Sequence, residues 1–172
     1  DGPDGVITED DQDYLTDKAD NHYGLGLNFG TSYKNISLSV VMGMSFGGQG
    51  SVEGAARKRA ETYSNKPAFW SDHWTPENTN AAYPAPEFSD TYDRESSFWF
   101  KSSYSFRVTN FNLSYGLPQK VAQRIGINSA KVFLIGTNPI NFFNPYNYRD
   151  NASAYNVYPN LTTFSLGVNV GF

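Results

Sequence analysis

The end of the chain alternates strictly between apolar and polar or small side chains. Ser, Gly or Asn occupies every second position, and the positions between them carry Phe164, Leu166, Val168, Val170 and Phe172. Because successive side chains of a strand point to opposite faces, the segment from Phe164 to Phe172 predicts a β-strand with one apolar face. Such a strand fits a soluble sandwich as well as a membrane barrel.

The aromatic residue at the last position favours the barrel. Outer-membrane barrels end in this way because their assembly machinery recognises a final amphipathic strand that closes on an aromatic residue. We therefore predict that the apolar residues of this strand, Phe164 to Phe172, form an assembly signal.

Composition supports a membrane β-protein. Aromatic residues make up 16% of the chain, which suits the interfacial girdles of a barrel, and only 17% of residues are charged. No apolar run approaches the roughly 18 residues that a membrane helix needs, so a membrane role requires β-structure. The net charge of −4 argues against nucleic acid as a partner, and the absence of Cys rules out disulfides and thiolate chemistry.

Two further alternating segments form a predicted hairpin. They run from Tyr23 to Tyr33 and from Ile36 to Phe46, and Lys34-Asn35 forms the tight turn between them. At about 3.3 Å per residue and a tilt of about 40°, each segment covers roughly 28 Å, close to the height of the apolar band of an outer-membrane barrel. The length of both segments therefore matches a membrane span.

A third strand is predicted from Phe98 to Tyr115, but its apolar positions change parity near Thr109-Asn110. A β-bulge at this point would restore one apolar face. With the bulge, Lys101 and Arg107 point into the lumen; without it, Arg107 faces lipid. We predict the bulge.

A fourth strand is predicted from Lys131 to about Thr137, which makes five strands with the terminal one. Residues 119–129 between the third and fourth strands form a turn with helical character. Tight turns alternate with long connections at 47–97 and 138–160, and barrels place short turns inside and long loops outside. We therefore expect 1–21 and the long connections to be extracellular and the C-terminus to be periplasmic. Five strands with two open edges cannot close a barrel in lipid, so further chain is required.

The order of these segments resembles a known family. Residues 107–118 (RVTNFNLSYGLP), 132–138 (VFLIGTN) and 158–172 resemble the C-terminal strands of SusC/RagA-type TonB-dependent transporters, and 4–8 and 23–33 also fit. The resemblance is weak from 47 to 95, and Asn138-Pro139-Ile140 departs from the family pattern.

The resemblance implies an all-β fold: the C-terminal five antiparallel strands and long external loops of a transmembrane barrel of about 22 strands. Residues 1–172 would be that C-terminal segment, and the plug domain and early strands would lie outside it, after a proteolytic nick or a genetic split. The partners implied are the remaining barrel and plug, TonB through the plug segment, a SusD-like surface lipoprotein and outer-membrane lipid. The function implied is import of oligosaccharides or peptides across the outer membrane of a Gram-negative bacterium.

Part of a calcium loop is recognisable near the start of the chain. Asp4 would occupy its fifth position, Gly5 the sharp sixth and Asp11 the twelfth, with Thr8 between them. Only part of the ligand pattern is present, so a plain acidic turn is the alternative to a calcium site.

The long connection holds aromatic residues among polar ones, and four residues are candidates for substrate or partner contact: Trp70, His73, Trp74 and Tyr83. The alternative, which we favour, is that they pack the loop, because a large loop needs a small core of its own. Ser71, Asp72 and His73 are adjacent, and adjacent loop residues rarely converge on one reacting atom. The sequence therefore predicts no enzyme.

Two other classes stay open. A soluble β-sandwich that binds carbohydrate would explain the alternation and the aromatic residues. A small self-contained barrel would need an even number of strands, about eight, from the same chain.

Overall fold

The computed structural model describes residues 4–6, 8–14, 17, 21–57, 66–85, 95–150, 154–155 and 157–172. A five-stranded antiparallel sheet dominates it, and a separate ladder of two short strands lies in the first long connection. The strands are β1 (Tyr23–Tyr33), β2 (Ile36–Phe46), β3 (Gln49–Ser51), β4 (Phe100–Ser102), β5 (Ser105–Gly116), β6 (Ser129–Phe143) and β7 (Thr163–Gly171). Two short helices, α1 (Gly54–Arg57) and α2 (Gln119–Arg124), and three 3₁₀ turns at Glu9–Asp11, Ala68–Asp72 and Ser97–Trp99 complete the described elements.

The large sheet is a meander in the order β1-β2-β5-β6-β7, so each long strand pairs with the long strand next to it in the sequence. The predicted hairpin is confirmed residue for residue, with Tyr23 opposite Phe46 and Tyr33 opposite Ile36. Its tight turn requires φ of +52° at Lys34, in the left-handed region. The strands β1 and β7 form the two edges of the sheet.

One face of this sheet is apolar across all five strands. Val40 lies opposite Phe29 on one side and Phe111 on the other, and the same face continues from Leu134 of β6 to Leu166 of β7. This face is largely uncovered, since Phe29 is 52% exposed and Leu166 is 75% exposed. The opposite face carries mainly Ser, Gly and Asn, as the alternation predicts.

The predicted bulge is present at Thr109. In the pairing of β2 with β5, Val41 faces Asn110 while Met42 faces Val108, so Thr109 is the extra residue. The Thr109 hydroxyl donates to the carbonyl oxygen of Val41 at 3.2 Å. Because of this bulge, Phe106 and Phe111 share the apolar face although their positions differ in parity.

The third strand begins later than predicted. Instead of one strand from Phe98, the structure has a 3₁₀ turn at Ser97–Trp99, then β4 paired with β3, and β5 only from Ser105. The reason is Trp99, which is 2% exposed and lies in the core of the connecting loop. Burial of this large ring overrides the strand alternation of its neighbours.

The fourth strand is longer than predicted. It continues to Phe143 through Asn138 and Pro139, which together stand opposite Thr109. Asn138 adopts φ of +49°, and Pro139, which has no N–H to donate, is accommodated because the ladder is already irregular there.

All tight connections lie at one end of the sheet and all long ones at the other. At the tight end, α2 is closed by Gly126 at φ of +78°. The N–H of Gly126 donates to Gln123 O and that of Ile127 to Ala122 O, which is a Schellman motif. The helical character predicted for this turn is confirmed. No helix among the described residues combines the length and the apolarity that a membrane crossing requires.

Replacing Gly136 by Ala is expected to destabilise the sheet. The ring of Phe111 covers Gly136 so closely that a Cβ there would overlap ring atom Cε1, and the ring would have to move. Overpacking of this kind costs about 1–3 kcal/mol. Gly43→Ala in β2 is the matched control, because its Cβ would meet only Thr109 Cγ2 at 4.0 Å. Denaturant titration of the folded protein in detergent measures both; equal midpoints for the two variants would contradict the expectation.

Candidate functional site

The two long connections form a small domain with its own core at one end of the sheet. Its centre consists of Val52, Ala56, Phe69 and Trp99, all buried. Trp70, Tyr83, Tyr148 and Tyr155 pack around this centre, the last two from the connection between β6 and β7. The loops on this side are therefore held by aromatic packing of their own, which we call the loop core.

Two of the predicted contact residues belong to the loop core. Trp70 Nε1 donates to Ala56 O at 2.9 Å, and its ring lies 6.1 Å from that of Trp99. The Tyr83 ring lies 4.7 Å from that of Phe69. These positions agree with the packing alternative, which the sequence favoured.

The other two predicted contact residues lie nearer the surface. His73 Nδ1 lies 2.6 Å from Trp70 O, which fixes the imidazole ring locally. Trp74 is 44% exposed, and its backbone N–H donates to Tyr83 O at 2.8 Å. Trp74 thus offers an exposed indole on a backbone that is tied to the loop core. Its contact with a substrate or partner stays a prediction.

An ion pair joins the two long connections. Arg149 Nε lies 3.0 Å from Glu53 Oε1, and Glu53 Oε2 accepts the N–H of Tyr155 at 2.6 Å. The Arg149 guanidinium lies over the Tyr146 ring, 3.9 Å from its centroid. Burial raises the pKa of the Tyr146 phenol, and the nearby Arg149 cation opposes this shift. Sequence reasoning missed this ion pair because its members lie in separate loops without any local motif.

Asn21 connects the rim of the sheet to the residues that flank the β3-β4 ladder. Its side-chain Nδ2 donates to Ser45 Oγ at 3.0 Å and to Ser103 O at 2.7 Å. Its Oδ1 accepts from Gly48 N at 3.1 Å and Ser103 Oγ at 2.7 Å. One amide group therefore fixes the chain just before β1, the end of β2 and the chain just before β5.

The two predicted lumen cations separate in the structure. Arg107 lies in β5 opposite Gly43 and Asn141, on the polar face of the large sheet. Lys101 lies in β4 opposite Gly50, outside the large sheet. Both lumen assignments stay predictions, and only Arg107 has a place on the sheet face that they require.

The acidic N-terminal segment is organised by local hydrogen bonds. Asp4 Oδ1 accepts from Val6 N at 2.8 Å, and Asp11 Oδ2 accepts from Thr8 N at 2.7 Å. Thr8 Oγ1 accepts from Asp10 N at 3.3 Å, which completes a capping box around the 3₁₀ turn. No group of three or more His, Asp or Glu side chains in the described residues is arranged to hold a metal ion. Calcium binding at Asp4, Thr8 and Asp11 stays a prediction.

Comparison with known proteins shows that the chain is similar to parts of two TonB-dependent receptors. No family model matches it. TonB-dependent receptor P3 of Formosa agariphila is 25% identical over 98% of this chain, and TonB-dependent receptor P26 of the same organism is 30% identical over 98%. The chain spans 18% and 19% of their lengths, respectively.

Solved structures of the RagAB peptide importer share the fold. The match to the 'closed-closed' state covers 98% of this chain and 20% of the matched importer chain, with a TM-score of 0.66 and 20% identity. The match to the 'open-open' state covers 87% of this chain and 17% of the matched importer chain, with a TM-score of 0.62 and 22% identity. The resemblance and the fold class predicted from the sequence are confirmed by these matches.

Replacing Glu53 by Ala is expected to release the second long connection from the first. The substitution removes the ion pair to Arg149 and the acceptor of the Tyr155 N–H, which together are expected to contribute about 1–3 kcal/mol in this partly buried position. Hydrogen exchange of peptides from 144–150 and 157–162 should accelerate. Glu77→Gln, an exposed change in the same loop, is the control and should leave exchange unaltered. Unchanged exchange in the Glu53 variant would show that aromatic packing alone holds the two loops.

Proposed function

We propose that this chain, which is similar to parts of TonB-dependent receptors, contributes five strands and their loops to a transporter barrel in the bacterial outer membrane. The observation that carries the proposal is the apolar face of the large sheet. It extends over all five strands, carries no charged residue and is exposed in the described structure. An apolar surface of this extent requires a cover, and strands of this length fit the thickness of the apolar band.

The two alternatives from the sequence fit the structure less well. A soluble sandwich needs a second sheet on the apolar face, and the described residues supply only the β3-β4 ladder in addition to the large sheet. A self-contained barrel needs its edge strands to pair, whereas β1 and β7 each have one strand neighbour in the part of the chain that the structure describes. Both free edges fit a larger barrel, of which this chain would be one part.

Orientation and transport follow from this assignment. Long connections of outer-membrane barrels face outward, so the loop core would be extracellular and the tight turns periplasmic. Import of peptides or oligosaccharides, a SusD-like lipoprotein partner and contact with TonB through a plug domain are the functions proposed for the whole protein. The RagAB importer, which has this fold, is described as a peptide importer. The relatives are receptors and transporters, which supports a role without catalysis.

Isolation of the native assembly tests the proposal. Outer membranes solubilised in mild detergent should yield this chain together with the remaining barrel and plug, identified by mass spectrometry. A co-purifying surface lipoprotein would support the SusD-like partner. Recovery of the chain as a water-soluble monomer would instead support the sandwich.

A charge on the apolar face is expected to block membrane assembly. Val40 and Val41 are neighbours in β2 on opposite faces, so Val40→Arg places a cation toward lipid while Val41→Arg places it on the polar face. The lipid-facing cation should cost about 2–4 kcal/mol at mid-membrane. Quantification of the protein in the outer-membrane fraction should show a loss for Val40→Arg alone. Equal losses for both variants would contradict the lipid-facing assignment.

Loss of the exposed indole is expected to reduce uptake without loss of folding. Trp74→Ala removes a large exposed ring, while the backbone bond from Trp74 to Tyr83 is retained. Uptake of a labelled peptide or oligosaccharide mixture by whole cells should fall severalfold at equal protein level. Phe98→Ala, which removes another exposed ring of the same loop, is the control. Wild-type uptake in the Trp74 variant would show that the exposed ring makes no contact that uptake requires.

A further inference from the structure

Charge is distributed unequally between the two ends of the large sheet. All 17 acidic residues of the chain fall, in the sequence, before β1 or within the two long connections. The tight end, whose residues are all described, carries the cations Lys34, Lys120, Arg124 and Lys131 and no Asp or Glu. A surface with cations alone attracts anions.

The short helix α2 adds apolar side chains to this basic end. Lys120 and Arg124 are exposed and four residues apart, so they lie about one turn from each other on the helix surface. Val121 and Ile125, displaced by one residue, are 42% and 64% exposed. Ala122 is the buried residue of the helix. The outer surface of α2, together with its C-cap residue Ile125, thus presents two apolar side chains beside two basic ones, a combination typical of segments that lie in a membrane interface.

Lys34 places a further cation next to the apolar face. Its Nζ lies 5.2 Å from the centroid of the Tyr33 ring, and Tyr33 belongs to the apolar face and is 71% exposed. Tyr115 of β5 lies on the same face near the same end and is 45% exposed. Tyrosine at the border of an apolar band marks the level of lipid headgroups.

Lys131 differs from these three cations. It lies near the start of β6, opposite Gly116 and Asn169, and its parity places it on the polar face of the sheet. Lys131 therefore carries the same charge as the other three cations and lies at the same end of the sheet, but its side chain is on the polar face.

We propose that the tight end is a binding surface for anionic phospholipid, an inference that rests on the proposed membrane function. Lys34, Lys120 and Arg124 contact the phosphate-bearing headgroups, while Val121 and Ile125 enter the apolar border of the same leaflet. Phospholipid is favoured over a protein partner because the surface carries cations without Asp or Glu and because Lys34, over the Tyr33 ring, borders the apolar face of the sheet. Lys131 takes no part in this surface.

The test uses the complete transporter that contains this chain, purified in neutral detergent. Phosphatidylglycerol is titrated against it, with phosphatidylcholine as the neutral probe, and bound lipid is read by native mass spectrometry. Lys120→Gln combined with Arg124→Gln should weaken phosphatidylglycerol binding about 30-fold and leave phosphatidylcholine unchanged. Lys131→Gln is the matched control and should bind both lipids like the wild type. Wild-type phosphatidylglycerol binding by the double variant, or an equal loss with Lys131→Gln, would overturn the proposal.

A second measurement locates α2 without removing its charges. A nitroxide attached through Ile125→Cys, in a bilayer with phosphatidylglycerol, should be relaxed by oxygen more than by a water-soluble nickel complex. A label shielded from both relaxants would mean that protein covers the helix, and one accessible to nickel would mean that water does; either result overturns the lipid contact. Failure of the whole transporter to insert into bilayers would overturn the membrane function as well, whereas insertion without a preference for phosphatidylglycerol would overturn this inference alone.

Discussion

The need of every backbone N–H and C=O group for a partner governs this structure. Inside the large sheet, the backbone groups of neighbouring strands form hydrogen bonds with one another. The outer edges of β1 and β7 have no strand partner among the described residues. In water such edges are solvated, whereas next to an apolar face that requires lipid they must be paired by further strands. The apolar face and the free edges therefore impose one joint condition: the sheet is stable in a membrane only as an arc of a larger closed barrel.

Within this arc, the bulge at Thr109 keeps the apolar face continuous. It changes the parity of β5, so that Phe111 and Leu113 join the face that Phe106 occupies before the bulge and Arg107 stays on the polar face. The irregularity extends to β6, where Asn138 and Pro139 stand opposite Thr109. In the sequence, Pro139 indicates the end of a strand. The structure accommodates it inside β6 because the pairing of β2 with β5 already has a register shift at Thr109.

The sequence predicted the large sheet well because its determinants are local. Alternation with period two, a tight turn and a change of parity can each be read from adjacent residues, and the hairpin and the bulge were confirmed on that basis. The start of β5 and the ion pair between Glu53 and Arg149 could not be predicted in this way. Burial of Trp99 and the meeting of two loops depend on contacts between distant segments, which leave no periodic signal in either segment. Trp70 and Tyr83 illustrate the boundary: the sequence favoured packing over ligand contact, but only the structure placed both rings in one loop core.

The two parts of the molecule are stabilised by different solvents. The large sheet exposes its apolar residues, so its stability depends on lipid and on further strands. The loop core buries Trp99, Phe69 and Val52, which is the arrangement of a domain that is stable in water. Asn21 makes four hydrogen bonds, to Ser45 of β2 and to Gly48 and Ser103 on either side of the β3-β4 ladder, so a polar contact fixes the start of the loops at the rim of the sheet.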